Sequence, residues 1–193
     1  MKAESVAVFA SGNGSNALRL IDHFNGKSDP VSIDLLICNK PDAPVVEKAS
    51  EKGVEVLIVD NETVENGLTL LQELHYRSIN WIVLAGFLRK IPLNIIHGFP
   101  ERIINIHPSL LPKFGGKGMY GMHVHRAVVE AGETETGISI HLVNEEFDKG
   151  RILAQFSVML TENDTPETVA EKVQQLEHAH FSEVVEKTIM EQV

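Results

Sequence analysis

The chain has 193 residues, of which 43% are hydrophobic and 23% are charged, which is the composition of an ordinary soluble globular protein. With 17 Lys and Arg against 27 Asp and Glu, the formal net charge is −10. A chain this acidic is poorly suited to binding nucleic acid through a broad basic surface. We therefore expect small-molecule partners and no nucleic acid.

Cysteine content and hydropathy predict a cytoplasmic protein without membrane association. Cys38 is the sole cysteine, so no intrachain disulfide can form, which fits a reducing compartment. The first residues, MKAE, lead straight into a strand-like run instead of a signal peptide. No apolar run approaches the roughly 20 residues that a membrane-spanning helix needs.

The first half of the chain alternates short apolar runs with segments of helical spacing. This pattern predicts a Rossmann-like α/β fold, in which a mostly parallel central sheet is flanked by helices. The predicted strands are Ser5–Ala10, Ile33–Cys38, Val54–Val59, Trp81–Ala85 and Ile103–Ile106. The predicted helices between them include Asn16–Phe24, Ala43–Lys52 and Val64–Ser78.

The pattern changes after residue 106. A loop rich in glycine, Pro108–Gly121, leads to a predicted helix at Met122–Ala131. Two predicted strands, Thr136–Val143 and Ile152–Leu160, flank the short segment NEEFDKG, which is typical of antiparallel strands added to the sheet near the C-terminus. A last helix begins at the N-cap Thr165, and its apolar face comprises Val169, Val173, Leu176, His180 and Val184. We find no internal repeat or linker and expect one domain over residues 1–193.

A glycine loop follows the first predicted strand and opens a helix. Its spacing, Gly12-x-Gly14-x-x-Ala17, is that of dinucleotide sites, where backbone N–H groups bind phosphate, although a tight turn without a ligand gives the same motif. An NAD site also needs an acidic residue at the end of the second strand, whereas Asp34 lies inside that strand. Short polar side chains favour a compact monophosphate instead: Ser11, Asn13, Ser15 and Asn16.

Asn105 and His107 stand at the end of the fifth predicted strand, on the same side of an extended chain. Asparagine offers an uncharged donor to an oxygen that gains negative charge, and histidine exchanges a proton near neutral pH. Asp148, in the segment between the two late strands, can orient the imidazole. The three residues would support acyl transfer by direct attack of an amine, without a covalent enzyme intermediate. The alternative is that His107 is a buried core histidine whose hydrogen bonds are satisfied.

Four segments in this order resemble the phosphoribosylglycinamide formyltransferases, folate-dependent enzymes of purine biosynthesis: FASGNGSN, VLAGFLRKI, NIHPSLLPKF and FDKGRILAQ. The resemblance runs from Val6 to about His180. It implies transfer of a formyl group from 10-formyltetrahydrofolate to the glycine amine of 5'-phosphoribosylglycinamide (GAR), giving formyl-GAR and tetrahydrofolate. Residues 1–100 would then form the phosphate- and substrate-binding half, and residues 101–193 the folate-binding and catalytic half.

The resemblance also implies roles for individual residues. Asn105 would hydrogen-bond the formyl oxygen, His107 would transfer protons, and Asp148 would support His107. The phosphate and ribose of GAR would be held by Gly12, Asn13, Gly14, Ser15, Asn16, Gln174 and Glu177. The folate would lie against Leu88, Arg89, Lys90, Ile91, Asn105, Val143, Asn144, Glu145, Glu146 and Phe147.

The chain departs from the family in two places. The segment FGGKGMYGMHVHR makes the loop over the folate longer by about five residues. Residues 60–72 contain no arginine, whereas several family members carry one early in the third helix that faces the folate. Neither departure touches Asn105, His107 or Asp148.

Three alternative functions are compatible with the same sequence features. Other enzymes on the same core are a formyltetrahydrofolate hydrolase, expected to carry an extra N-terminal domain, and an aminoacyl-tRNA formyltransferase, expected to carry a C-terminal barrel. A noncatalytic nucleotide- or folate-binding protein is the alternative from another class. His123 and His125 diverge on a helix, so we expect no metal. Monomer and homodimer both stay open.

Overall fold

The computed structural model describes residues 4–25 and 31–192. Residues 1–3, 26–30 and 193 of the predicted domain lie outside the described part, and these include the first three residues of the MKAE segment. The described chain forms one seven-stranded sheet in the order β3-β2-β1-β4-β5-β6-β7. The strands are β1 (Glu4–Ala10), β2 (Val31–Cys38), β3 (Glu55–Ile58), β4 (Trp81–Leu84), β5 (Ile103–His107), β6 (Glu135–Leu142) and β7 (Ile152–Met159).

Strand direction follows the predicted change of pattern. Strands β1 to β5 pair in parallel, β6 pairs antiparallel with β5, and β7 pairs antiparallel with β6. The predicted mixed α/β fold is therefore confirmed. The strand order reverses between β1 and β4, and in such sheets ligands bind beyond the carboxyl ends of the strands at the point of reversal.

The helices differ from the prediction in two regions, because the short helix Leu93–Gly98 was not predicted and the segment after β3 is divided. The expected single helix Val64–Ser78 is wrong: the chain forms two short helices that meet at Gly67, whose φ of +70° is left-handed. A Cβ at this position would lie 2.3 Å from the Asn94 amide oxygen, so both the turn and the close approach require glycine. The helices are α1 (Ser15–Phe24), α2 (Pro44–Glu51), α3 (Asn61–Asn66), α4 (Leu68–Tyr76), α5 (Leu93–Gly98), α6 (Met122–Glu130) and α7 (Pro166–Met190).

Hydrophobic side chains bury both faces of the sheet. In β1, Val6 and Val8 pack towards α1, α2, α6 and α7, while Ala7 and Phe9 pack towards α3, α4 and α5. This alternation follows from the two-residue period of a strand, and burial on both sides explains why the parallel strands are continuously apolar. The sheet is thereby a rigid support for the loops at its carboxyl end.

Helix α7 begins where the sequence predicts. The Thr165 hydroxyl accepts from the Thr168 N–H, and the Thr168 hydroxyl accepts from the Thr165 N–H at 2.9 Å, which together form a capping box. Pro166 occupies the first turn, where its missing N–H costs nothing. The helix packs on α1 and α6 and against β6 and β7. None of the helices in residues 4–25 and 31–192 is long and apolar enough to cross a membrane.

Candidate active site

One cavity of about 710 Å³ opens at the carboxyl ends of β1, β4 and β5. It is lined by the glycine loop, the segment after β4, the end of β5, the loop before α6, the segment between β6 and β7, and α7. With the exception of Ser11, the residues predicted to serve catalysis or binding all line it: Gly12, Asn13, Gly14, Ser15, Asn16, Leu88, Arg89, Lys90, Ile91, Asn105, His107, Val143, Asn144, Glu145, Glu146, Phe147, Asp148, Gln174 and Glu177.

The glycine loop forms one end of this cavity. Gly14 is the N-cap of α1 with a φ of +69°, and a Cβ there would lie 2.0 Å from Val45 Cγ2. The loop therefore brings its backbone close to α2 while the N-terminus of α1 faces the cavity. The first N–H groups of a helix have no partner within the helix and attract anions, so this end suits a phosphate.

Asn16 and Glu177 join α1 to α7 beside the glycine loop. The Asn16 side-chain amide donates to the Glu177 carboxylate at 2.8 Å. Burial raises the pKa of Glu177, while the hydrogen bond from Asn16 opposes that rise. The Asn16 side-chain oxygen is buried and has no hydrogen-bond partner among the described residues, which leaves an acceptor unused at this end of the cavity.

Asn105 and His141 face each other across β5 and β6. They are register partners, and the Asn105 amide donates to His141 Nε2 at 3.1 Å. On the other side of the ring, His141 Nδ1 lies 2.9 Å from the Leu142 carbonyl oxygen, which can only accept. The proton therefore sits on Nδ1, and the lone pair of Nε2 fixes the orientation of the Asn105 amide.

His107 and Asp148 are brought together at the same end of the sheet. His107 Nδ1 lies 3.7 Å from one Asp148 carboxylate oxygen, and His141 Nε2 lies 3.6 Å from the other. His107 Nε2 donates to the Phe114 carbonyl at 2.8 Å, so Nδ1 is the nitrogen that faces the carboxylate. The predicted neighbourhood of Asn105, His107 and Asp148 is therefore present, with His141 as a fourth member.

Burial and neighbouring charges shift the pKa values of His107 and Asp148 in opposite directions. Desolvation lowers the pKa of His107, which is 3% exposed, although the Asp148 carboxylate and the Phe114 carbonyl both favour the protonated ring. Desolvation also opposes ionisation of Asp148, but the hydrogen bond from the Gly116 N–H and the positive charges that His107 and His141 carry when protonated outweigh it and lower the pKa of Asp148. At neutral pH the site thus holds a carboxylate beside an imidazole that gains its proton only at lower pH.

The loop before α6 supplies backbone partners to both catalytic candidates. The Phe114 carbonyl accepts from His107, and the Gly116 N–H donates to Asp148 at 2.8 Å. Gly116 and Gly118 have φ values of +98° and +88°, which L side chains rarely adopt. Lys117, Met119 and Tyr120 line the cavity, so this loop continues its wall.

Side-chain contacts hold the segment after β4 and the segment between β6 and β7, which form another wall of the cavity. Lys90 Nζ lies 5.0 Å from the centre of the Phe147 ring, which joins the segment after β4 to the segment between β6 and β7. His97 on α5 lies 2.8 Å from the Glu145 carboxylate. Arg89 pairs with Glu65 on α3, which joins the segment after β4 to that helix.

Two site residues were not assigned from the sequence, and one expected contact is wrong. His141 could have been found because it lies in a strand that pairs with Asn105, but pairing register is not visible in one sequence. His125 lines the cavity and is 6% exposed, and its Nδ1 has no partner among the described residues. Ser11, expected to bind phosphate, is buried, and its hydroxyl donates to Asn39 instead of facing the cavity.

Comparison with known proteins agrees with this geometry. The family model described as "Formyl transferase" matches residues 4–185. The chain belongs to the formyl transferase family. It is 34% identical over 187 residues to the phosphoribosylglycinamide formyltransferase of Bacillus subtilis, which covers 95% of this chain and 93% of that protein. It is 43% identical over 189 residues to the chloroplastic phosphoribosylglycinamide formyltransferase of Arabidopsis thaliana.

Solved structures of the same family share the fold. The phosphoribosylglycinamide formyltransferase of Bacillus halodurans is 36% identical with a TM-score of 0.87, covering 95% of this chain and 94% of that one. Glycinamide ribonucleotide transformylase 1 of Geobacillus kaustophilus is 33% identical with a TM-score of 0.86, covering 95% and 97%. This chain spans 65% and 63% of the lengths of the relatives from Arabidopsis thaliana and Vigna unguiculata.

Proposed function

We propose that the chain transfers a formyl group from 10-formyltetrahydrofolate to the glycine amine of GAR, giving formyl-GAR and tetrahydrofolate. The observation that carries this proposal is the grouping of Asn105, His107 and Asp148 in one cavity that also contains a glycine loop at a helix N-terminus. The names of the relatives support the same reaction. In this proposal residues 1–100 supply most of the phosphate- and substrate-binding half and residues 101–193 most of the folate-binding and catalytic half, while residues 88–91 extend to the folate and Gln174 and Glu177 extend to GAR.

The amine attacks the formyl carbon with its lone pair, and the carbonyl π electrons move onto the formyl oxygen. The Asn105 amide has a second hydrogen beyond the one donated to His141, and this hydrogen is directed to the oxyanion. Protonated His107 supplies a further donor. When the tetrahedral intermediate collapses, the bond to folate N10 breaks and that nitrogen takes up a proton, while the amine has lost one.

His107 and Asp148 together transfer these protons. The Asp148 carboxylate stabilises the imidazolium form of His107, which desolvation alone would disfavour. For Nε2 to reach the oxyanion, the Phe114 carbonyl must give up its hydrogen bond with His107. No Ser or Cys nucleophile is needed, because the amine attacks directly.

The two substrates occupy opposite ends of the cavity. The GAR phosphate lies against the glycine loop, where Gly12 to Asn16 and Gln174 surround the N-terminus of α1, and Glu177 accepts from the ribose hydroxyls. The folate lies between residues 88–91 and 143–147, against the Phe147 ring and the Leu88 side chain, which are 41% and 49% exposed without it. Such exposed apolar groups at a cavity mouth suit a planar aromatic ligand.

The remaining expectations are part of the same proposal. The partners are GAR and 10-formyltetrahydrofolate, in a cytoplasmic protein that acts as a monomer or homodimer. No group of three or more metal-ligating side chains occurs within residues 4–25 and 31–192, and the proposed chemistry uses none.

Formyl transfer by the purified protein tests the proposal. Tetrahydrofolate release is followed with 10-formyltetrahydrofolate alone and after addition of GAR, and the product is identified by mass spectrometry. We expect release that depends on GAR and yields formyl-GAR. Release without GAR would indicate a hydrolase, and binding of both ligands without release would indicate a noncatalytic binding protein; either result would overturn the proposal.

A further inference from the structure

A buried hydroxyl lies beneath the floor of the cavity. Ser11 follows β1 directly, is 1% exposed and does not line the cavity, although Gly12, its neighbour in the chain, does. A hydroxyl that is sealed from solvent must be satisfied by protein groups. Its partners therefore show which segments it connects.

Ser11 connects three strand ends. Its hydroxyl donates to the Asn39 side-chain oxygen at 2.6 Å, just after β2, and accepts from the Leu88 N–H at 3.1 Å, after β4. Its own N–H donates to the Gly86 carbonyl at 3.2 Å. One side chain thus ties the glycine loop to the segment that begins at Leu88.

The two connected segments depend on this hydroxyl to different degrees. The glycine loop has other backbone anchors, because the Val45 N–H donates to the Gly12 carbonyl and the Leu18 N–H donates to the Gly14 carbonyl. The Leu88 N–H, by contrast, has the Ser11 hydroxyl as its hydrogen-bond partner among the described residues. Loss of the hydroxyl would therefore leave the Leu88 N–H without its partner, while the glycine loop would keep both of its backbone anchors.

We infer that Ser11 is a positioning residue that holds residues 88–91 against the glycine loop and so sets where the folate lies relative to the amine substrate. This inference rests on the proposed function, because residues 88–91 and the glycine loop are there assigned to different substrates. Ser11 contacts neither substrate and acts through the Leu88 backbone.

The substitution Ser11→Ala tests this inference through the two Michaelis constants. One lost hydrogen bond changes an equilibrium by roughly fivefold to tenfold, so the KM for 10-formyltetrahydrofolate should rise by about that factor. The KM for GAR should change by less than about twofold, since the glycine loop keeps its backbone anchors. Ser11→Thr retains a hydroxyl and should restore the KM for the folate.

Ser5→Ala is the matched control. Ser5 lies near the other end of β1, and its hydroxyl donates to Asp34 on β2, far from the cavity. Both alanine variants remove a hydroxyl that bridges two strands, so both should lower the melting temperature. Only Ser11→Ala should raise the KM for 10-formyltetrahydrofolate more than the KM for GAR.

Equal changes in both KM values, or the same separation in Ser5→Ala, would overturn the inference. If Ser11→Ala does not fold, Ser11→Cys replaces the hydroxyl with a weaker acceptor of similar size, and the same separation is expected at smaller amplitude. Absence of transfer by the unsubstituted protein would refute the proposed function itself. Normal transfer without separation would refute the role of Ser11 alone.

Discussion

Asn105 donates one amide hydrogen to Nε2 of His141, its register partner on the neighbouring antiparallel strand. Since His141 Nδ1 is engaged with the Leu142 carbonyl, the ring cannot turn over without breaking two hydrogen bonds. The second Asn105 hydrogen is thereby held in one direction. Preorganised donors of this kind stabilise an oxyanion without reorganisation during the reaction.

Replacing His141 should therefore weaken catalysis through Asn105. His141→Phe keeps an aromatic ring but removes the Nε2 acceptor of the Asn105 amide. We expect kcat to fall by about fivefold to tenfold, which corresponds to the loss of roughly one hydrogen bond. Steady-state kinetics with GAR and 10-formyltetrahydrofolate measures this loss. His75→Phe, outside the cavity on α4, serves as the control and should leave kcat unchanged. A kcat equal to that of the unsubstituted protein would contradict the anchoring role.

Removing the proposed oxyanion donors themselves should have a larger effect. Loss of one donor of an oxyanion site costs on the order of 10²–10³ in rate, and we expect at least that loss in Asn105→Ala and in His107→Ala. The far-ultraviolet circular dichroism and melting temperature should show a folded protein in both cases. Asn80→Ala, at the opposite end of the sheet, should retain turnover. Near-normal turnover in either active-site variant would rule out the assignment.

Asp148→Asn should change the titration of His107. The carboxylate raises the pKa of His107 against the larger effect of burial, so its removal should lower that pKa further. The activity that depends on protonated His107 is then lost at a lower pH than in the unsubstituted protein. Nuclear magnetic resonance of the His107 ring protons measures the shift. Glu146→Gln removes a charge from the same segment beside Lys149 and should leave the titration in place, whereas an unchanged titration in Asp148→Asn would refute the coupling.

Gly14→Ala should affect both stability and GAR binding. The new methyl group would meet Val45 at 2.0 Å on a left-handed backbone, which costs roughly 1–3 kcal/mol. Because the strain displaces the glycine loop, the KM for GAR should rise more than the KM for the folate. Gly53→Ala has the same left-handed backbone with no atom within 4 Å of the added methyl group, and lies outside the cavity. A smaller stability loss with unchanged KM values is expected for Gly53→Ala.

Most of the fold was predictable because the spacing of hydrophobic residues and the positions of turn and capping residues agreed along the chain. The continuous apolar runs located the parallel strands, and Thr165 with Pro166 located the start of α7. The break at Gly67 was not predicted because an isolated glycine is tolerated in helices; here contact with Asn94 and Pro92 decides the conformation. Short α5 was missed because six residues carry too little periodicity.

The candidate site was predictable where the type of residue indicated its chemistry. It was not predictable where a role depends on how side chains from distant segments are oriented. That Asn105, His107 and Asp148 lie in one cavity was predictable because their residue types suit acyl transfer and because Asn105 and His107 end a strand. Ser11 was assigned to a phosphate because it lies within a polar loop, whereas its orientation depends on Asn39 and Leu88 from distant segments. A single sequence does not show which of several polar side chains in a loop faces inward.

His125 provides a test of the buried polar groups around the cavity. Burial, and then the charge of His107, lower the pKa of His125. Below the ordinary histidine pKa of about 6.5, the unfolded chain binds a proton that the native ring does not, so stability must fall as the pH falls. His125→Asn cannot titrate and should reduce the stability difference between about pH 7.5 and about pH 5.5 by up to roughly 1.4 kcal/mol, measured by urea unfolding. His123→Asn changes an exposed residue of the same helix and should keep the full difference. An undiminished difference in His125→Asn would show that its ring takes up the proton in the folded protein.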